Sequence, residues 1–279
     1  MNIVILINSN AGGGKFLKNI LQIENFLESK KINFKSIIDV WPDNLDEYNY
    51  VWVIGGDGTL NYFINKYPLI NIPIAIFKGG TGNDFSWKLY GNICLEEQLQ
   101  KLFKNKTELI DVGLCNGKYF LNGVGIGFDG EILKSMNKIR WLGGHLGYLV
   151  VVIKKIFTFK EQYFTFSINE NEYSQKLLLM SVFNSSRTGG GFHIAPTAKI
   201  NDGFLDVITC KPLNIIKRLI NLPKIEKGKH LKLPFVVHYL TKKINIKCET
   251  KTAAQIDGEL FWAKEFNISI IEKKLTFIV

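Results

Sequence analysis

Val51-Trp52-Val53-Ile54-Gly55-Gly56-Asp57-Gly58-Thr59-Leu60-Asn61-Tyr62-Phe63-Ile64 is the stretch that decides the fold. An apolar run enters a glycine turn, and the turn opens into a helical pattern. That is the order of a buried strand, a tight connection and a helix N-terminus. Glycines at positions 55, 56 and 58 allow φ > 0 and remove side chains that would hold a ligand away from the backbone N–H groups. A helix N-terminus behind such a turn offers unpaired donors and partial positive charge, which suits a phosphate. Asp57 within the turn points to a metal or a proton beside that phosphate. Alone, the turn also reads as a plain tight connection.

Two more turns share the design. Ile74-Ala75-Ile76-Phe77 leads into Lys78-Gly79-Gly80-Thr81-Gly82-Asn83-Asp84 and then the helical Phe85-Ser86-Trp87-Lys88-Leu89. Ile3-Val4-Ile5-Leu6-Ile7 leads into Asn8-Ser9-Asn10-Ala11-Gly12-Gly13-Gly14-Lys15 and another helix. Ligands of α/β sheets bind beyond the carboxyl ends of parallel strands, so three such turns are expected to meet at one crevice.

Outward from these turns, residues 1–111 alternate strand and helix, which implies a mainly parallel sheet. Phe16, Ile20, Ile23 and Leu27 recur at helical spacing, with Leu17 and Leu21 widening the face. Phe34–Ile38 is the expected second strand, and Leu95, Leu99 and Leu102 line a helix ending near Lys106. Asp39–Tyr50 is too short for a full crossover helix with its loops. From about Val112 the segments become strand-like and closely spaced: Phe120–Phe128, Gln162–Ile168, Lys176–Phe183, Leu205–Cys210, Phe235–Leu240, Lys243–Cys248, Ala254–Ile256 and Phe266–Ile271. This reads as an antiparallel β domain over residues 112–271. Two helical inserts interrupt it, Asp129 to about Phe157 with a break at Gly143-Gly144, and Leu213 to about Lys229 with a break at Pro223. Residues 272–279 are a candidate return to the first domain.

Composition bounds the function. A chain of 279 residues with 46% hydrophobic and 22% charged residues is a folded globular protein of two ordinary domains. No secretory leader is expected, because the sequence opens on a strand, and no stretch reaches the ~20 apolar residues of a membrane span. The longest run, Leu146–Ile153, closes at Lys154-Lys155. Cys94, Cys115, Cys210 and Cys248 lack metal or redox spacing and read as reduced thiols of a cytoplasmic protein. His145, His193, His230 and His238 lack zinc spacing. No aromatic-basic interleaving suggests nucleic acid. Tyr148, Val152 and Ile156 form a helical stripe that reads as core. Residues 1–111 hold 11 Lys, no Arg and 12 acids, a net of −1, so the remaining 24 basic and 13 acidic residues give the second half +11. Such asymmetry suggests peripheral contact with an anionic membrane surface, or simply lysine used as solubilising charge.

The second half has its own turns. Arg187-Thr188-Gly189-Gly190-Gly191-Phe192 precedes Ala195-Pro196-Thr197-Ala198 and Asn201-Asp202-Gly203-Phe204-Leu205-Asp206. The Asn-Asp-Gly turn reads as a hairpin, or as a hard-cation site built from one carboxylate and loop carbonyls. Asp257-Gly258-Glu259 is a further tight turn with two acids, solvated or catalytic.

In order and approximate spacing, the motifs Asn8…Gly12-Gly13-Gly14-Lys15, Gly55-Gly56-Asp57-Gly58-Thr59, Gly80-Thr81-Gly82-Asn83-Asp84, Gly123…Gly125…Gly127-Phe128-Asp129, Gly189-Gly190-Gly191, Asp202-Gly203 and Asp257-Gly258-Glu259 resemble those of soluble bacterial lipid kinases. These carry a diacylglycerol-kinase catalytic domain and are related to sphingosine and ceramide kinases, and distantly to NAD kinases. The resemblance covers essentially the whole chain. It implies an N-terminal three-layer α/β nucleotide-binding domain and a C-terminal antiparallel β-sandwich that takes the lipid. It further implies an ATP- and Mg2+-dependent transfer of the γ-phosphoryl group to the hydroxyl of a membrane lipid such as diacylglycerol. Under it, Gly55, Gly56, Asp57, Gly58, Thr59, Leu60, Asn61 and Thr81 would cradle ATP, with Asn8, Gly12, Gly13, Lys15 and Asn83 nearby. Asp57 and Asp84 would join a water-bridged network around the nucleotide magnesium. Asp202, with main-chain oxygens of Lys199 and Phe204, would hold a second, structural magnesium. Glu259 would be the general base, with Asp129 lining the acceptor cleft.

Two departures stand out. Ser9 replaces the usual proline, and the 39–50 crossover lacks the family's helix and nucleotide-facing threonine; Val40 or Trp41 takes that neighbourhood. The competing readings are an NAD-kinase-like nucleotide kinase, against which the NDG and DGE turns speak, and a non-catalytic lipid-binding relative. The acceptor lipid and the oligomeric state, a homodimer included, stay open.

Overall fold

A computed structural model describes residues 2–14, 16–136 and 144–279. The chain forms two compact units, Met1–Ile110 with Lys273–Val279, and Asp111–Glu272. In the first unit the order is β1 (Asn2–Ile7), α1 (Leu17–Ser29), β2 (Asn33–Ile38), β3 (Tyr50–Gly55), α2 (Asp57–Lys66), β4 (Ile74–Lys78), α3 (Asp84–Tyr90) and α4 (Leu95–Phe103). The strands pair in parallel as β2-β1-β3-β4. Ile3–Ile7, Val51–Ile54 and Ile74–Phe77 are buried throughout, the continuous apolar run of strands covered on both faces.

α1 seats Ile23 and Leu27 in the core, whereas Leu21 is 65% exposed, so the buried face is narrower than its apolar content suggests. Leu21 lies on the outward side, where burial cannot reward it. The 39–49 connection holds no helix. Trp41 fills the space instead: its ring lies 5.5 Å from Tyr62 and 6.3 Å from Phe63 of α2. Its indole N–H donates to the Ile7 carbonyl at 3.3 Å. Lys66 and Tyr67 donate to the Trp41 and Pro42 carbonyls at 3.1 and 2.6 Å.

β5 (Thr107–Cys115), unmarked by any turn signal, carries the chain into the second unit. There follow β6 (Lys118–Phe120), β7 (Gly123–Ile126), α5 (Phe128–Met136), α6 (Gly144–Thr158), β8 (Gln162–Ile168), β9 (Asn171–Leu177), β10 (Leu179–Phe183), β11 (Leu205–Cys210), α7 (Ile215–Glu226), β12 (Val236–Thr241), β13 (Lys243–Ile256) and β14 (Glu259–Ile278). Pairing in this unit is antiparallel, in the order β12-β11-β10-β7-β13-β14, with β8 on β13 and β9 on β8. β13 shifts register between Lys247 and Thr252; its first half pairs with β8 and its second with β7. One bent strand thus serves two sheet segments, the corner device of a sandwich. Phe164, Phe166, Met180, Val182, Val207, Ile246 and Phe266 meet in the core it encloses.

Several expected boundaries move. Lys176–Phe183 divides into β9 and β10, Lys243–Ile256 is one strand, and residues 259–278 are a single strand. Phe128 starts a helix. α7 passes through Pro223 without ending; three residues from its C-terminus, the missing N–H removes a single ladder bond. Of the expected break at Gly143-Gly144, Gly143 lies outside the described residues and Gly144 is the first residue of α6; the side chain of Tyr148 is also outside those described. Residues 273–279 belong to the first unit, with Phe277 opposite Ile74 of β4.

Candidate active site

In the first unit the three glycine turns interlock. The Gly79 N–H donates to the Gly55 carbonyl at 2.9 Å. A Cβ on Gly56 would stand 2.8 Å from Gly80 Cα, and one on Gly80 2.5 Å from Gly56 Cα. A Cβ on Gly12, at φ +56°, would meet the Gly79 carbonyl oxygen at 2.4 Å. The glycines therefore permit backbone-to-backbone contact between loops, a demand that ligand access alone does not explain. Asn8 reaches across from the first turn, its Nδ2 donating to Thr59 Oγ1 at 2.8 Å.

Asp57 begins α2, and its carboxylate accepts the Asp84 and Phe85 N–H groups at 3.0 and 2.9 Å. It thereby fixes the third turn to the second. Asn83, at φ +50°, closes its own loop, accepting from Gly80 N at 2.8 Å and donating to Gly80 O at 2.7 Å. Asp84 is buried, while Gly13, Gly58 and Thr81 are exposed along the rim and Leu60 is buried below it. Asn61 is half-buried in α2. Lys15 lies outside the described residues. Beside this rim, Ser9 donates its N–H and hydroxyl to the Asp39 carboxylate at 2.8 and 2.6 Å. Those bonds hold the Asp39 carboxyl below its ordinary range. A proline at position 9 would lack the first donor.

The second unit holds the other acids. Asp257 is buried at φ +47° and accepts three backbone N–H groups, from Leu121 at 2.7 Å and from Asn122 and Gly123 at 2.9 Å. Of the turn's two acids it is the structural one; Glu259, two residues on, is exposed at the start of β14. Asp129 sits in the first turn of α5, half-buried. Burial pushes its carboxyl up to about 6, against a lowering hydrogen bond from the Ser181 hydroxyl at 3.1 Å. Gly125 is what admits it, since a Cβ there would stand 2.1 Å from Asp129 Oδ2.

At the Asn-Asp-Gly turn, Asp202 is exposed and its Oδ1 accepts from Phe204 N at 3.1 Å. Lys199 and Phe204 are exposed beside it. Below, buried Asp111 accepts from Gly203 N at 2.7 Å. Among the described residues no group of three His, Cys, Asp or Glu is placed to hold a metal ion. Sequence reasoning passed over Asp111, Ser181 and Asn184; Asp111 lies in the middle of β5, Ser181 in the middle of β10 and Asn184 just after it, none within a motif. The four cysteines are free, and burial pushes the Cys115 and Cys210 thiols up to about 12.

A parallel α/β unit with three interlocked glycine turns and an antiparallel β unit in one chain are the two parts of a kinase fold. Residues 2–115 match the diacylglycerol kinase catalytic domain, and residues 122–279 match the YegS C-terminal NAD kinase beta sandwich-like domain; the chain belongs to this kinase family. A diacylglycerol kinase of Bacillus subtilis is 25% identical over 77% of this chain and 72% of its own length. One from Mycobacterium tuberculosis is 28% identical over 71% of this chain and 66% of its own. Among solved structures, a diacylglycerol kinase from Bacillus anthracis superposes with TM-score 0.76 at 22% identity, covering 99% of this chain and 96% of that one. An NAD kinase from Archaeoglobus fulgidus in complex with ATP gives TM-score 0.59 at 14% identity, covering 100% and 94%. These two likenesses concern the fold.

Proposed function

We propose that the chain is a lipid kinase that moves the γ-phosphoryl group of ATP to the hydroxyl of a membrane lipid such as diacylglycerol. The observation that carries this reading is the interlock of the 12–14, 55–59 and 79–84 turns, which leaves Gly13, Gly58 and Thr81 exposed above a floor of backbone. Residues Gly55–Asn61 and Thr81 are assigned to the phosphates, with Asn8, Gly12, Gly13, Lys15 and Asn83 supporting them. Asp57 holds the turns together, and Asp57 and Asp84 supply carboxylate near the phosphates. Phosphoryl transfer needs positioning and charge neutralisation above all.

Magnesium fits the donors present, since carboxylate and carbonyl oxygens are the ligands it prefers. Asp202, with main-chain oxygens of Lys199 and Phe204, is assigned to one ion, and the Asp57–Asp84 pair to the nucleotide's. When bound, the ion neutralises phosphate charge. Glu259 takes the proton of the lipid hydroxyl as that oxygen bonds to phosphorus and the bond to ADP breaks. Its exposure leaves it reachable by substrate, while Asp257 holds the turn rigid. Asp129 is assigned to the acceptor side.

The test is incubation with γ-labelled ATP and magnesium, with extracted bacterial lipids in one arm and NAD in the other. Label in a lipid, abolished by chelator, is the expected result. Label in NAD alone, or in neither, overturns the reading.

A further inference from the structure

The second unit carries an apolar surface that its own fold leaves uncovered. α7 seats Leu222 and Ile225 against the core. It is fastened there by Arg218, whose guanidinium donates to the Leu213, Ile156 and Phe159 carbonyls at 2.8, 2.9 and 3.0 Å and to Glu161 at 2.5 Å. Arg218 is therefore a structural staple, despite sitting in a basic stretch. The opposite side of α7 should be polar. It carries Ile216 at 68% and Ile220 at 62% exposure, flanked by Ile215 and Leu219 at 39% and 37%. These are two i, i+4 rows turned outward. α6 repeats the pattern with Val150, Ile153 and Phe157 at 56%, 39% and 55%, spaced i, i+3, i+7. The helices are neighbours, with Leu222 of α7 packed on Val151, Val152 and Ile156 of α6. Single exposed apolar residues need no explanation, but seven of the eighteen large ones exposed among the described residues lie on these two packed helices, and they do.

We infer that this α6–α7 face docks on an anionic lipid bilayer. Its isoleucines and Phe157 enter the boundary between headgroups and acyl chains, and Lys154, Lys217 and Lys224, all exposed, reach the phosphates. Outward aliphatic rows with a lysine rim are the build of an interfacial helix. No helix among the described residues is long and apolar enough to cross a membrane, so the face would lie on the bilayer. A second copy of this chain is the poorer occupant, since a two-fold contact brings two faces with the same lysine rim together and supplies no anion between them. The docking rests on the lipid-kinase reading for its purpose, but it is measured without nucleotide.

The full chain is sedimented with vesicles of equal parts phosphatidylglycerol and phosphatidylcholine, and with pure phosphatidylcholine. The wild type should partition to the anionic vesicles. I216S/I220S, and separately F157S, change exposed positions and should keep the wild-type melting temperature. Each should weaken partitioning, the double variant about tenfold or more, at both low and high salt. K217E/K224E should weaken it at low salt, with the difference fading as salt screens the charges. Wild-type partitioning by I216S/I220S overturns the proposal. So does a wild-type dimer that I216S/I220S makes monomeric while vesicle binding persists. Phosphorylation of a water-soluble short-chain diacylglycerol should match wild type in I216S/I220S. If the wild type cannot phosphorylate it but still binds vesicles, the kinase reading fails and the docking stands.

Discussion

Asn184 joins Asp111 to Leu121: its buried side-chain amide donates to both carbonyls at 3.0 Å. Asp111 grips the Asn-Asp-Gly turn through Gly203, and Leu121 is one of the three N–H donors to Asp257. A single amide thus links the turn assigned to magnesium with the turn that presents Glu259. Asn184→Ala leaves two buried carbonyls without this donor, at a cost of about 1–3 kcal/mol each. Melting should drop by several degrees, at about 2–4 °C per kcal/mol for a chain of this size. If the melting temperature stays within a degree of wild type, the amide is not the link.

The two acids of the Asp257-Gly258-Glu259 turn should separate cleanly. Glu259→Gln should leave the melting temperature unchanged and lower turnover about 10²–10⁴-fold, the usual contribution of a general base. Asp257→Asn should destabilise the protein by roughly 1.5–3 kcal/mol, because the charge that accepts three N–H groups is lost. Thermal melts and labelled-lipid turnover on both variants check this. Destabilisation by Glu259→Gln, or full turnover in it, removes the assignment.

What the sequence disclosed follows from how local the signal is. The parallel unit was legible because Val51–Ile54 and Ile74–Phe77 are short apolar runs ended by glycine, and the chain alone carries that pattern. That the glycines face one another across turns was not legible, because the Gly56–Gly80 contact joins residues far apart in sequence. The same holds for β13. Its polar Glu249-Thr250-Lys251 stretch looks like a gap between two strands, yet the strand runs through it with a shifted register. Arg218 reads as surface charge because nothing in sequence shows the α6 carbonyls it meets.

The glycine interlock predicts unequal effects of alanine. Gly80→Ala places a methyl 2.5 Å from Gly56 Cα, a backbone atom that cannot turn aside, and should cost about 1–3 kcal/mol as overpacking does. ATP affinity should fall with it, since the phosphate turns are forced apart. At Gly13, φ is +70° and the new methyl meets nothing within 4 Å. Gly13→Ala should therefore cost only the left-handed backbone penalty of about 1–2 kcal/mol. Calorimetric ATP titration of both variants decides the point: equal loss of affinity would mean that Gly13 is needed for more than its backbone angle.

Asp129 supplies a pH signature. Burial raises its folded carboxyl from 3.8 to about 6. Between these values the folded chain holds a proton that the unfolded chain has released. The stability this confers is complete below 3.8 and is lost as pH rises through about 6. Asp129→Asn cannot titrate, and its amide oxygen still accepts from the Ser181 hydroxyl, so the variant lacks this slope. Relative to wild type, its melting temperature should therefore rise between about pH 4 and about pH 7.5. If Asp129 also serves the acceptor hydroxyl, the acidic limb of the kcat/KM profile near that value should disappear in the variant. A melting difference that stays constant across the range would mean that water reaches the carboxylate freely and burial does not govern it.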